Sequence, residues 1–179
     1  MKKTVVLTAG HGGSDCGAVA KDGTTEASVA TDMRNIIAAV LKEKGIGVIT
    51  DGTGRENKPL RDAVKLIPLG DIAIELHCNA AADPRAGGVE VLARPEHEPL
   101  AQKLCKAVSS TMGIKVRGSE GGYRPENSGQ HSRLAYVSGG GVILELFFIS
   151  NPAELKIYRE KAWAIARSIV DAIIEYLGE

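Results

Sequence analysis

The chain has 179 residues, of which 44% are hydrophobic, 25% charged and only 4% aromatic, and its formal net charge at pH 7 is +0. This size and apolar content suit a single domain with a substantial core, spanning residues 1–179. The neutral charge and the scarcity of aromatic residues argue against a nucleic-acid partner, and no apolar run approaches the roughly 20 residues of a membrane span.

The first half of the sequence alternates between strand and helix signals. A β-branched apolar run predicts a strand over Thr4–Ala9, which ends in a glycine-rich loop over residues 10–23. Apolar residues spaced three and four apart then predict a helix that begins near Thr25 and closes at Gly45. Four shorter elements follow: a strand at 46–50, a loop at 51–58, a helix from Pro59 to about Leu66, and a strand at 71–77.

The second half continues this alternation and contains one long polar segment. A strand is predicted at 88–94, a helix at 95–112, strands at 134–137 and 142–146, and an amphipathic closing helix at 162–177. The segment 115–130 is polar, rich in glycine and without periodicity, so we expect a mobile flap beside the functional site, with a disordered surface insertion as the alternative. Strands that alternate with helices predict an α/β fold whose sheet is covered by helices on both faces.

Four polar residues lie where a strand or a helix end meets a loop: His11, Glu26, His77 and Glu145. Open α/β sheets place their ligands at the carboxyl ends of strands. Two neutral imidazoles and one carboxylate form a known catalytic zinc set that leaves the fourth position to water, and a second glutamate can act as general base. Structural readings stay open, because a glutamate in the first turn of a helix favours the helix dipole and a histidine after a strand can be a solvated turn residue.

Several short motifs, far apart in the sequence, occur in the order that is typical of one known family. Residues 9–13 read Ala-Gly-His-Gly-Gly and precede Glu26, residues 77–79 read His-Cys-Asn, and residues 142–145 read Val-Ile-Leu-Glu. Together with residues 88–91 and 148–152, these motifs resemble the zinc-dependent N-acetylmuramoyl-L-alanine amidases. The resemblance runs from Thr4 to the last predicted helix.

The resemblance implies one zinc ion per chain, held by His11, Glu26 and His77, and a catalytic role for Glu145. It also implies a single α/β domain with a six-stranded, mostly parallel sheet. Peptidoglycan is the implied substrate, and the implied reaction is hydrolysis of the amide bond between N-acetylmuramic acid and the L-alanine of the stem peptide.

The chain departs from the family pattern at a few positions. Residues 8–9 are Thr-Ala where an aspartate–proline pair is usual, residues 75–76 are Glu-Leu where a serine is common, and Phe147 stands where the family often has glycine. None of these positions is an implied zinc ligand. The segment 118–132 does not resemble a typical member, and the preferred substrate is therefore not implied by it.

Three functional readings follow from the resemblance. The first is a monomeric phage endolysin, and the second is a bacterial wall-remodelling or recycling amidase that lacks its leader. The alternative of another class is a non-catalytic peptidoglycan-binding module on the same fold. Retention of both histidines and both glutamates argues against that module.

The amino terminus and the cysteines bear on the compartment. Residues 1–10 lack the roughly 7–15 apolar residues of a signal-peptide core. The cysteines are odd in number and have no close pair, which favours free thiols: Cys16, Cys78 and Cys105. We therefore expect synthesis in the cytoplasm, no membrane insertion, and action on the cell wall after the membrane has been permeabilised.

Other candidate residues have weaker signals. A thiolate metal site at Cys16 and Cys78 is disfavoured, because zinc thiolates usually come in close pairs. His97 and His131 are expected to be surface histidines. Glu90 has two open interpretations: it orients a metal ligand, or it pairs with a basic side chain.

Overall fold

The computed structural model describes residues 2–118, 120–125 and 134–179. Its strands are β1 (Thr4–Ala9), β2 (Gly47–Thr50), β3 (Ile72–Asn79), β4 (Glu90–Ala93), β5 (Tyr123–Pro125) and β6 (Val142–Phe148). They form one six-stranded sheet in the order β2-β1-β3-β6-β4-β5. Neighbouring strands run parallel except β4 and β6, which are antiparallel. The prediction of an α/β fold with a six-stranded, mostly parallel sheet is confirmed.

Helices cover both faces of this sheet. The helices in the described part of the chain are α1 (Glu26–Glu43), α2 (Leu60–Ala63), α3 (Glu98–Met112), α4 (Ala135–Ser138), α5 (Pro152–Leu177) and two 3-10 helices at Val64–Leu69 and Pro95–His97. Side chains alternate along a strand, so Val5 and Leu7 of β1 join the core under α1, α3 and α5. Val6 points the other way and packs with residues of α2 and α4.

Two helix starts are set by their capping residues. The hydroxyl of Thr25 accepts a hydrogen bond from the backbone N–H of Ser28 at 3.2 Å, so that α1 begins at Glu26 as the sequence indicates. The side chain of Asn151 accepts bonds from two backbone N–H groups of α5, and Pro152 occupies its first position. The closing helix therefore begins ten residues before the predicted start at residue 162.

The sequence assigns the wrong segment as the fifth strand. Residues 134–137 were predicted as a strand, yet 135–138 form the helix α4. A four-residue apolar run fits either element by periodicity, and here Tyr136 and Val137 pack as part of a helix against α2 and the sheet. The strand is instead β5, within the predicted loop 115–130, where a three-residue edge strand ending in Pro125 gives no clear pattern.

A buried ion pair anchors the loop that follows β2. Nη1 of Arg34 lies 2.8 Å from Oδ1 of Asp51, and neither side chain is exposed to solvent. The other carboxylate oxygen of Asp51 accepts the backbone N–H of Ala9, the residue that ends β1. Arg34 also donates to the carbonyl oxygens of Gly54 and Glu56. The pair thus ties α1 to the start of the loop that carries His11.

We expect Arg34→Met to lower the free energy of unfolding by about 3–5 kcal/mol, because it leaves the charge of Asp51 buried and unpaired. Urea denaturation measures this loss. Arg61→Met is the matched control: the Arg61 side chain is 83% exposed, so the loss of its contact with Asp62 changes little. Equal effects of the two substitutions would contradict the assignment.

Candidate metal centre and active site

Three of the residues singled out in the sequence lie together in the structure. His11 follows β1, Glu26 begins α1, and His77 lies near the end of β3. Oε2 of Glu26 is 3.2 Å from Nε2 of His11, and Oε1 of Glu26 is 3.0 Å from Nδ1 of His77. One donor atom from each residue lies within 4.8 Å of the others, so a single cation can contact all three.

The backbone around His11 lets its side chain come close to Glu26. His11 has φ of 62°, the left-handed region that histidine adopts more readily than most residues. The side-chain amide of Asn57 holds this turn by donating to the carbonyl oxygens of Ala9 and His11. Gly17, at φ of 64°, leaves room for Glu26 and His11, because a Cβ there would lie 2.7 Å from each side chain. Asn57 gave no signal in the sequence, since it lies in an unpatterned loop.

The charges of the three residues depend on one another. Burial raises the pKa of Glu26, but hydrogen bonds from His11, from His77 and from the backbone N–H of Cys78 outweigh it and hold that pKa well below its usual range. The bond to Glu26 raises the pKa of His11. Burial lowers the pKa of His77, yet bonds to Glu26 and Glu75 raise it well above the ordinary value. Glu26 is therefore an ionised carboxylate that attracts either protonated imidazoles or a metal cation.

Glu145 lies beside this cluster on β6. It is the register neighbour of His77 across the parallel β3–β6 pair, and it is 8% exposed. Its Oε2 is buried and has no hydrogen-bond partner among the described residues. Burial raises the pKa of Glu145 to about 7, His77 lowers it in part, and the charges of Glu26 and Glu90 raise it further. A carboxylate with a pKa near neutrality can both accept and release a proton.

A charged network flanks Glu145 on its other side. Glu90 is the register neighbour of Glu145 on the antiparallel strand β4. Its carboxylate accepts a 2.9 Å hydrogen bond from Nε of Arg124, lies 3.1 Å from Nε of Arg117, and accepts from the amide of Asn79 at 2.7 Å. Of the two interpretations of Glu90, the structure supports pairing with basic side chains. Both arginines, Arg117 and Arg124, belong to the segment 115–130, which the sequence predicts to be a flap.

The remaining candidates lie outside the cluster. Cys16 is exposed and Cys78 is buried; both thiols are free, and neither belongs to the three-residue group. His97 is half-buried rather than fully exposed, and His131 lies outside the described residues. Of the segment 115–130, the described part contains β5 and a bridge between Val116 and Val89. The prediction that all of 115–130 is a loop is therefore wrong, and residues 119 and 126–130 lie outside the described part.

A cleft of about 380 Å³ opens beside His11. Its lining residues come from the end of β1, the middle of β3, the glycine-rich loop, the loop that follows β2 and the start of α2: Ala9, His11, Gly12, Asp15, Asn57, Lys58, Pro59, Leu60 and Glu75. Glu75 is the lone charged residue in the apolar strand β3 and is 4% exposed. This isolated charge was visible in the sequence, but only the structure shows that it contacts His77.

Gly10 provides the space that the His77 ring occupies. A Cβ at Gly10 would lie 2.1 Å from Cε1 of His77 and 2.3 Å from its Nε2. We expect Gly10→Ala to displace the ring, to lower the free energy of unfolding by about 1–3 kcal/mol and to weaken Zn²⁺ binding at least about tenfold. Urea denaturation and chelator competition measure these effects.

Gly13→Ala is the matched control for this substitution. Gly13 lies in the same loop and has a positive φ of 60°, but nothing lies within 4 Å of its added Cβ. It should therefore lose some stability through backbone strain and keep its Zn²⁺ affinity. A Gly10→Ala variant with the same Zn²⁺ affinity as the parent chain would show that the position of the His77 ring does not govern metal binding.

No helix among the described residues has the combined length and apolar character that crossing a membrane requires.

Comparison with known proteins gives a consistent picture. The family model for N-acetylmuramoyl-L-alanine amidases matches residues 5–175. A solved structure from Neisseria meningitidis, assigned provisionally as such an amidase, has 50% sequence identity and a TM-score of 0.90, and the match covers 98% of this chain and 96% of that one.

Two curated bacterial proteins are similar at lower identity. The "Probable cell wall amidase LytH" of Staphylococcus epidermidis is 30% identical over 98% of this chain. The amidase AmiA of Salmonella typhimurium is 32% identical over 51% of this chain. The matches span only 59% and 32% of the lengths of these two proteins.

Proposed function

The chain belongs to the N-acetylmuramoyl-L-alanine amidase family, and we propose that it hydrolyses the amide bond between the lactyl group of N-acetylmuramic acid and the L-alanine of the peptidoglycan stem peptide. One observation carries this proposal: two imidazoles and a carboxylate place a donor atom each within 4.8 Å of the others, next to a buried glutamate whose Oε2 has no hydrogen-bond partner in the part of the chain that the structure describes.

The donor chemistry fits a zinc ion, one per chain. Two histidines and one carboxylate are a common set in zinc hydrolases, with a further position open to water or substrate. His11, Glu26 and His77 would hold the ion, because their donor atoms already face one another. When bound, zinc supplies a Lewis acid that polarises the scissile carbonyl and lowers the pKa of water toward about 7.

Glu145 moves the proton in this scheme. It accepts a proton from the water that attacks the carbonyl carbon, and it donates that proton to the nitrogen of the departing L-alanine as the C–N bond breaks. Its location beside His77, its unpaired Oε2 and its pKa of about 7 support both halves of the transfer. A bound cation favours the ionised form of Glu145 and so the proton-accepting half.

The setting of this activity is a separate part of the proposal. Bacterial wall remodelling fits as well as the endolysin setting, because the "Probable cell wall amidase LytH" of Staphylococcus epidermidis is 30% identical over 98% of this chain. The endolysin setting uses the same chemistry and stays a prediction from the sequence, as does the monomeric state. A non-catalytic wall-binding module has less support, since the site keeps both histidines and both glutamates in contact distance or register.

Turbidity of a purified peptidoglycan suspension tests the proposal. We expect the purified chain to clear the suspension, a chelator to stop the clearing, and added Zn²⁺ but not Mg²⁺ to restore it. Clearing that continues in excess chelator would contradict the proposed role of the metal. A suspension that stays turbid with Zn²⁺ present would contradict the proposed amidase activity.

A further inference from the structure

His77 is held between two carboxylates, one on each ring nitrogen. Its Nδ1 lies 3.0 Å from Oε1 of Glu26, and its Nε2 lies 3.1 Å from Oε2 of Glu75. Glu26 also contacts His11, so Nδ1 is the nitrogen that faces the shared cluster. Nε2, the other ring nitrogen, faces Glu75 instead.

We infer that Glu75 is a positioning residue that fixes His77 with its hydrogen on Nε2 and its lone pair on Nδ1, directed at the metal. This inference rests on the proposed zinc site and adds a residue to it. A carboxylate oxygen accepts a hydrogen bond from an imidazole N–H, so the 3.1 Å contact assigns the hydrogen to the ring nitrogen that faces Glu75. In the metal-bound form the ring is neutral, and its other nitrogen binds the cation.

The surroundings of Glu75 make it suitable for this task. Its side chain is 5% exposed, and its own strand carries His77 two residues later on the same face of the sheet. Its second oxygen, Oε1, accepts a 3.5 Å hydrogen bond from the hydroxyl of Thr8, a fully buried residue and its register partner on β1. Both carboxylate oxygens are thus occupied, and the carboxylate cannot turn away from the ring without losing a bond.

His11 has a similar arrangement with a weaker partner. Its Nε2 faces Glu26, and its Nδ1 lies 2.9 Å from Oδ2 of Asp15. The Asp15 side chain is 68% exposed, whereas that of Glu75 is 5% exposed. A hydrogen bond in a low-dielectric interior is stronger than one in contact with water. Glu75 therefore restrains its histidine more firmly than Asp15 does.

The orientation and the affinity can be measured separately on the full chain. We expect Glu75→Ala to weaken Zn²⁺ binding about 10–100-fold in chelator competition, the range typical for loss of such a partner. Glu75→Gln should recover part of this loss, because its amide oxygen can still accept from Nε2. Glu154→Gln is the matched control: Glu154 is a buried carboxylate that binds the backbone N–H groups of Gly88 and Phe148, and its loss should leave Zn²⁺ affinity within about twofold.

The position of the hydrogen on the His77 ring can be measured, and a purely structural role of Glu75 would not affect it. Long-range ¹H–¹⁵N spectra of the zinc-loaded parent chain should show the His77 hydrogen on Nε2 and the metal on Nδ1. Glu75→Ala should broaden or shift these signals, while the signals of His97 stay in place. If Glu75→Ala does not fold, Glu75→Gln and the spectrum of the parent chain still decide the question.

Three results would overturn the inference. They are a Glu75→Ala variant with Zn²⁺ affinity within about threefold of the parent chain, a spectrum with the metal on Nε2 of His77, and a parent chain that binds no Zn²⁺. A chain that binds Zn²⁺ in the expected orientation and leaves peptidoglycan intact would instead overturn the proposed function, and the role of Glu75 would stand.

Discussion

Glu145→Gln is expected to keep the fold and the bound zinc and to lower kcat by about 10²–10⁴-fold, the usual contribution of general acid–base catalysis. Glutamine has nearly the shape of glutamate but cannot accept the proton of water. The substitution also removes a buried carboxylate that burial and the charges of Glu26 and Glu90 disfavour, so the variant should be at least as stable as the parent chain at pH 8.

The sign of this stability effect depends on pH. Because the pKa of Glu145 is raised to about 7 in the folded chain, folding favours its protonated form. Its contribution to stability is fully present below the unfolded pKa and is lost as the pH rises through about 7. The melting temperature of the metal-free parent chain should therefore fall as the pH rises through about 7, and that of metal-free Glu145→Gln should lack this fall.

Rates from peptidoglycan clearing and zinc content from elemental analysis check the prediction together. A folded, zinc-loaded Glu145→Gln variant with a rate within about threefold of the parent chain would rule out Glu145 as the general base. A variant that lost its zinc would show that Glu145 helps to hold the metal.

His77→Ala is expected to remove most of the bound zinc and to lower wall hydrolysis below detection. The substitution takes away one of three donors, and two donors from the chain rarely hold zinc at a catalytic site. It also leaves Glu26 and Glu75, each with a side chain 5% exposed, without the ring between them. Two buried carboxylates without a shared partner repel each other, so stability should fall as well.

His97→Ala is the matched control for this prediction. His97 lies outside the three-residue cluster, next to the start of α3, and its loss should leave both zinc content and rate unchanged. Stoichiometric zinc in purified His77→Ala, measured by elemental analysis, would contradict the assignment of His77 as a ligand. Loss of zinc from His97→Ala would point to a general weakness of the fold instead.

The residues of the three-residue cluster could be predicted from the sequence, because they lie at the ends of predicted elements. Ligands in an α/β sheet collect at the carboxyl ends of strands, and His11 and His77 stand at the ends of two strong strand patterns. The cap residue Thr25 similarly placed Glu26 in the first turn of α1. The structure brings these side chains together, while their zinc-binding role and the role of Glu145 stay predictions.

Other parts of the molecule depend on contacts that local pattern does not contain. The short strand β5 is defined by its pairing with β4, and the apolar residues of α4 fit a strand equally well until their packing is known. Asn57 acts through a hydrogen bond to His11, which lies 46 positions away, and the sequence gives no signal for it. Glu75 acts through its contact with His77, which lies 2 positions away. Such partners become visible only when the chain is folded.

End-group analysis of digested peptidoglycan shows whether this chain cleaves the proposed bond between N-acetylmuramic acid and L-alanine. We expect the zinc-loaded chain to release new L-alanine amino termini without new reducing sugar ends, and Glu145→Gln to release neither. New reducing ends, or amino termini of any residue other than L-alanine, would contradict it.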